Sequence, residues 1–148
     1  MTTRPARQFP SPSFVVGTDL VSVQDIADSL TAFGARYLER VYTADEIAYC
    51  MREPSQTALR LAARFAAKEA TFKLLNASDR GFAWTSIGVA RSDSGTLELI
   101  LMGEALRAAE SQGYTAFSVS FTHERDYASA VVLGQREAVA RDATATDI

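Results

Sequence analysis

The sequence predicts an α+β domain with a largely antiparallel sheet packed against one long helix. Three observations carry that prediction. Phe14–Val21 is a β-branched, apolar run of strand length. Residues 56–75 form an alanine-rich pattern at helical spacing. Beyond Gly81, short strand-like runs return, joined by turn signals instead of long crossovers. A strand, three helices, a hairpin, a helix and a second hairpin is an α+β order, not an alternating α/β one.

Each element has a local cause. Met1 to Ser13 holds three prolines and two arginines without periodicity and reads as a loose arm, residues 1–13. Phe14–Val21 reads as a buried strand in which Asp19 is the one charged intruder. Ser22-Val23-Gln24-Asp25 has the S-x-x-D capping pattern and should start a helix reaching about Phe33, where Gly34 interrupts it. Thr43-Ala44-Asp45-Glu46 is a second capping box, opening a short helix that Pro54 ends. In the helix from Gln56 to Leu75, Leu59, Ala63, Ala66, Ala67, Ala70 and Leu74 share one stripe, small enough for close approach to a sheet. Lys68, Glu69 and Lys73 are then expected on the opposite side or the flank. Ile87–Ala90 and Leu97–Met102 pair through an Asp93-Ser94-Gly95 turn. Gly103–Gln112 is a helix closed by Gly113, and Ala116–Phe121 and Tyr127–Leu133 form a last strand pair turning over Thr122 to Asp126. The domain is expected to span residues 14–134, with residues 135–148 as a polar, alanine-rich tail.

Composition excludes several classes of function. The chain has 148 residues, enough for one domain with its own core. No apolar run nears the roughly 18 residues that cross a bilayer, and the arginine-bearing N-terminus has no apolar core of a secretory signal. A single cysteine, Cys50, rules out an internal disulfide and a cysteine-rich zinc site. These features point to a cytoplasmic protein with no membrane partner. A net charge of −3 offers no general attraction to nucleic acid, so an anionic ligand would have to meet a local basic patch.

Arg64-Phe65-Ala66-Ala67-Lys68-Glu69-Ala70-Thr71-Phe72-Lys73 is the segment that supplies such a patch. Glu69 precedes Lys73 by four residues, and an exposed pair at that spacing contributes only about 0.3–0.5 kcal/mol. Arg64 and Lys68 are also four apart, where like charges repel. Three cations and one carboxylate within ten residues suit a polyphosphate held through magnesium. Asp19 reads either as a strand-end hydrogen-bonding group or as a magnesium ligand, since Mg²⁺ often takes only one or two carboxylates besides waters and phosphates. His123, the only histidine, follows Ser118-Val119-Ser120-Phe121-Thr122. It reads as a surface residue or as part of a phosphate site with the hydroxyls of Ser120 and Thr122. There is no G-x-S-x-G, no Walker loop and no G-x-G-x-x-G.

Four blocks in order, Gly17-Thr18-Asp19-Leu20-Val21, Tyr42-Thr43-Ala44-Asp45-Glu46, Arg64 to Ala70 and Ser118 to His123, resemble the holo-[acyl-carrier-protein] synthases. These are small, single-domain 4'-phosphopantetheinyl transferases, and the similarity runs from about Val15 to Leu133. The resemblance implies the phosphopantetheinyl transferase fold and a homotrimer with active sites between subunits. It implies transfer of 4'-phosphopantetheine from coenzyme A to a serine of apo-acyl carrier protein, leaving adenosine 3',5'-bisphosphate, in fatty-acid or polyketide synthesis. Asp19 and Glu69 match the family's magnesium ligands. Arg64, Lys68 and Lys73 match basic positions around the coenzyme A phosphates, and His123 matches a histidine near the nucleotide, supplied if need be by a neighbouring subunit. Glu69, Lys73 and His123 are thus the expected catalytic residues, with Glu69 or a metal-bound water as the base.

Two departures stand out. Thr18 replaces an aliphatic residue, and Asp25 stands where many members carry an arginine that grips the carrier. Carrier docking would then lean on Arg36 and Arg40, with Tyr37 and Val41 as apolar contacts. The other readings are a catalytically idle coenzyme A or carrier-binding module of the same fold and, less suited to the cation cluster, a small hot-dog thioesterase.

Overall fold

Two antiparallel sheets and a central helix account for the fold, as the strand and helix patterns require. The computed structural model describes residues 13–77 and 81–137. Most of the expected arm and tail therefore lies outside the described residues. β1 (Phe14–Ser22), β5 (Tyr127–Arg136) and β4 (Tyr114–Glu124) form one sheet in the order β1-β5-β4. β2 (Ile87–Arg91) and β3 (Leu97–Leu101) form the hairpin, with Gly95 at φ 87° in its turn.

The helices are α1 (Val23–Phe33), α2 (Ala35–Val41), α3 (Ala44–Cys50), α4 (Thr57–Leu74) and α5 (Gly103–Ser111). Both caps act as the sequence indicates. Ser22 Oγ accepts the Asp25 N–H, and Thr43 and Glu46 exchange the reciprocal bonds of a capping box. Helix α2 has no sequence counterpart in the expected elements. Its N-cap is Gly34, at φ 53°, with no side-chain capping bond to announce it.

Helix α4 lies across the inner face of the three-stranded sheet. The expected stripe is buried at Ala63, Ala66, Ala67, Ala70 and Leu74. Burial extends to Leu61, Ala62, Thr71 and Phe72, because α1, α3 and β2 cover the other sides of the helix. At Gly17 the strand and helix backbones meet. A Cβ there would lie 1.9 Å from the Ala70 carbonyl oxygen.

The last hairpin is longer than the sequence indicates. β4 runs through Thr122 and His123 to Glu124, and the chain turns at Arg125, φ 51°, and Asp126. β5 continues to Arg136, two residues past the expected domain end. His123 is thus a strand residue, paired with Ala128, not a turn residue. Among the described residues no helix is long and apolar enough to cross a membrane.

Candidate active site

Close packing of α4 on β1 brings Asp19 and Glu69 to one cleft. It has a volume of about 500 Å³ and is lined also by Ser22, Asp25, Ser29, Tyr37 and Phe65. Inner and outer faces alternate along β1, so Asp19 points to the helix side while Thr18 and Leu20 point away. Lys73 crosses from α4 to β1. Its Nζ lies 2.7 Å from Asp19 Oδ1 and donates to the Thr18 carbonyl at 3.0 Å. Lys73 therefore pairs with Asp19 and not with Glu69 one helical turn away. With the lysine half exposed, this pair contributes at most about 1 kcal/mol to stability, so its interest is its position.

Glu69 takes up a proton more readily than an ordinary carboxylate. Partial burial is the main cause and the nearby negative charge of Asp19 the second, with Lys73 opposing both. Two carboxylates that repel each other with an ammonium beside one of them form a donor set that a divalent cation would complete. Mg²⁺ asks for one or two carboxylates with its remaining positions left to water and phosphate, and Asp19 and Glu69 fit that requirement.

Lys68 is the main correction to the expected charged face. It is fully buried, 0% exposed, and its Nζ lies 2.8 Å from Glu46 Oε2. The ammonium also donates to the carbonyls of Trp84 and Ile87. Burial holds Lys68 below the ordinary lysine range, against the pull of Glu46. α4 is enclosed on nearly all sides, so a charge on its second face meets protein, and it survives there because it is paired.

Arg64 is buried too, 3% exposed, with its guanidinium 4.4 Å from the centroid of the Tyr49 ring. Arg60 and Arg52 approach the same ring at 5.2 and 5.3 Å. Only Glu53, paired with Arg60 at 2.9 Å, offsets this cluster among the described ion pairs, and Arg64 Nε has no hydrogen-bond partner. Tyr49, Arg52 and Arg60 were not singled out from the sequence. The recurrence of arginines around a tyrosine near the start of α4 was the available signal.

The remaining expected residues separate by strand alternation. Phe121 faces inward, 6.0 Å from Arg64, and His123 follows on the same face about 6–7 Å farther along the strand. His123 is exposed and is not among the residues lining the Asp19–Glu69 cleft. Ser118, Ser120 and Thr122 lie on the outer face, exposed and opposite in direction to His123. Within one chain the site residues therefore fall into two groups, a carboxylate cleft with Lys73 and an arginine cluster that His123 extends.

The surface expected to dock a carrier also changes. Val41 is in the core, 6% exposed, and offers no apolar contact. Phe33 stands out in its place, in a hollow with Arg36, Tyr37 and Arg40. Tyr37 lines this hollow and the carboxylate cleft alike. Cys50 is buried, its thiol pushed up to about 11 by burial, and is no candidate nucleophile.

The chain is similar to known proteins over most of its described length. Residues 15–132 match the model of the 4'-phosphopantetheinyl transferase superfamily. The chain is 42% identical over 117 residues to a holo-[acyl-carrier-protein] synthase of Gloeobacter violaceus, covering 79% of this chain and 89% of that one. A Koribacter versatilis protein of the same name is 38% identical over 118 residues, covering 79% of this chain and 94% of the other. Among solved structures, the Neisseria meningitidis holo-[acyl-carrier-protein] synthase superposes with a TM-score of 0.73 at 31% identity, covering 82% and 98%. A coenzyme A complex of the Chronobacterium ammoniagenes enzyme gives 0.74 at 28% identity, covering 84% and 98%. A family match over most of the described fold, together with relatives of this similarity along nearly their whole length, places the chain in the 4'-phosphopantetheinyl transferase superfamily.

Proposed function

We propose that the protein is a magnesium-dependent holo-[acyl-carrier-protein] synthase. It moves 4'-phosphopantetheine from coenzyme A to a serine of apo-acyl carrier protein. The observation that carries this reading is the convergence of Asp19 and Glu69 in one cleft, with Lys73 paired to Asp19, in a chain that belongs to this superfamily.

The serine oxygen forms a new bond to the β-phosphorus of coenzyme A, and the bond from that phosphorus to the bridging oxygen breaks. Adenosine 3',5'-bisphosphate leaves with the released negative charge. Mg²⁺ held by Asp19 and Glu69 would supply charge neutralisation on the pyrophosphate oxygens. Lys73, half exposed and paired with Asp19, would add a positive charge beside the same oxygens. Glu69 is our candidate to take the serine proton, because it lines the cleft while Lys73 is paired with Asp19 instead.

The arginine cluster around Tyr49, with His123, is suited to the outlying phosphate of coenzyme A. It lies outside the carboxylate cleft of its own chain, and a second copy could present it there. The outer sheet face supports self-association. Val16, Leu20, Val131 and Leu133 stand in neighbouring cross-strand rows and are exposed, an apolar surface that a lone soluble domain seldom leaves open. We read the assembly as a homotrimer in the cytoplasm, where a single buried thiol stays reduced.

The test is the dependence of transfer on metal. Turnover of apo-carrier should saturate with Mg²⁺, stop on chelation and need more metal in Asp19→Asn. A protein that binds coenzyme A yet leaves every apo-carrier unmodified would be the idle binding module instead.

A further inference from the structure

The Glu46–Lys68 pair lies outside the carboxylate cleft, yet it anchors the walls on both sides of Glu69. Glu46 Oε2 accepts the Thr43 N–H at 2.9 Å and the Lys68 ammonium at 2.8 Å, while Oε1 accepts the Val89 N–H at 2.9 Å. Lys68 Nζ also donates to Trp84 O, at 3.2 Å, and to Ile87 O. An ammonium has three protons to donate, and here three acceptors take them. Lys68 therefore has no donor left over for a ligand phosphate.

Trp84, held through its carbonyl, carries its ring to α4. It stacks on Phe65 at 4.9 Å between centroids and meets Phe72 edge-on at 4.9 Å. Phe65 lines the Asp19–Glu69 cleft. Trp84 and Phe72, with Phe82, line a second cavity of about 230 Å³ on the other side of Glu69. Glu69 borders both cavities and is the residue next to Lys68, so a rotation of α4 that freed one side chain would displace the other.

We propose that Glu46 and Lys68 are positioning residues. Their buried pair fixes α4 against α3 and β2, and so holds Glu69 facing Asp19. The inference rests on the reading of Asp19 and Glu69 as the metal pair. A buried ion pair is a weak source of stability, since apolar residues of similar volume often replace it without loss. Orientation is what such a replacement would forfeit. Partners behind a metal ligand typically govern metal affinity by 10–100-fold.

The test uses coenzyme-free, full-length protein and Mn²⁺ as the probe, with free Mn²⁺ read by its paramagnetic resonance signal. The variant is Glu46→Leu combined with Lys68→Met, which leaves no charge unpaired. It should melt cooperatively and bind coenzyme A within about twofold of wild type, while Mn²⁺ binding weakens about 10–100-fold. If that variant fails to fold, Glu46→Gln combined with Lys68→Met, which leaves no charge unpaired and keeps an acceptor for the Val89 N–H, should give the same loss of Mn²⁺ binding in a folded protein. Unchanged Mn²⁺ binding in the folded variants would overturn the proposal alone. A selective, tenfold loss of coenzyme A affinity would overturn it in favour of Lys68 as a phosphate ligand. If Asp19→Asn binds Mn²⁺ as wild type does, the metal reading itself falls, and the proposal with it.

Discussion

Gly17 and Ala70 are in direct backbone apposition: a Cβ on Gly17 would sit 1.9 Å from the Ala70 carbonyl oxygen. This approach sets the depth of α4 on β1, and with it the separation of Asp19 from Glu69. Gly17→Ala must move the helix, because the atom it strikes is backbone and cannot turn aside. Overpacking of this kind costs about 1–3 kcal/mol or more. Urea denaturation should show that loss, and transfer activity measured on the folded fraction should fall as well. Full activity in a stable Gly17→Ala protein would mean that the apposition is not needed.

Glu69→Gln separates chemistry from stability. The carboxylate binds a proton more readily in the fold than an ordinary glutamate does, so its ionised form slightly opposes folding at neutral pH. That penalty fades as pH falls from the raised value of Glu69 through the ordinary carboxylate range, and is gone below it, where the folded and unfolded chains are both protonated. Removing the charge should leave the neutral-pH melting temperature unchanged or slightly raised, while turnover falls at least 100-fold, in the range seen when a transition-state contact is lost. Normal turnover would remove Glu69 from the metal site.

The proton affinity of Glu69 responds to its two charged neighbours in opposite senses. Asp19 raises it and Lys73 lowers it. Carboxyl-carbon NMR in the absence of metal should therefore find Glu69 titrating at lower pH in Asp19→Asn and at higher pH in Lys73→Met. A midpoint indifferent to both changes would contradict their proximity.

Much of this could be read from the chain because its signals are local. The N-cap at Ser22, the capping box at Thr43, the alanine stripe of α4 and the Asp93-Ser94-Gly95 turn each act over a few residues, and each stands where expected. Asp19 is conspicuous as a carboxylate in an apolar strand, and Glu69 as the one carboxylate among the cations of α4. Lys68 is the converse case. Its partner Glu46 lies 22 residues earlier on another helix, and only the tertiary fold joins them. The arginine cluster is likewise tertiary, as Tyr49, Arg52, Arg60 and Arg64 come from α3, the following loop and α4. Helix α2 has seven residues and no side-chain cap, which leaves little local signal to find.

The outer sheet face gives a prediction about assembly. Leu20, 64% exposed, and Val131, 44% exposed, lie one cross-strand row apart on an uncovered apolar surface. Leu20→Lys with Val131→Lys should reduce the mass seen in sedimentation to that of a single chain without lowering the helix content. Transfer should be lost at the same time, because the arginine cluster would no longer reach a neighbouring carboxylate cleft. A wild-type protein that already sediments as one chain and is fully active would contradict the shared site.

On the proposed function, the Asp19–Glu69 cleft transfers phosphopantetheine. Intact-mass spectrometry of an apo-acyl carrier protein incubated with coenzyme A, Mg²⁺ and this protein tests it most directly. Wild type should add the mass of one phosphopantetheine to the carrier, at its serine, and Glu69→Gln should leave the carrier almost unmodified over the same time. A carrier unchanged by wild type across fatty-acid and polyketide carriers, or modified equally by Glu69→Gln, would contradict it.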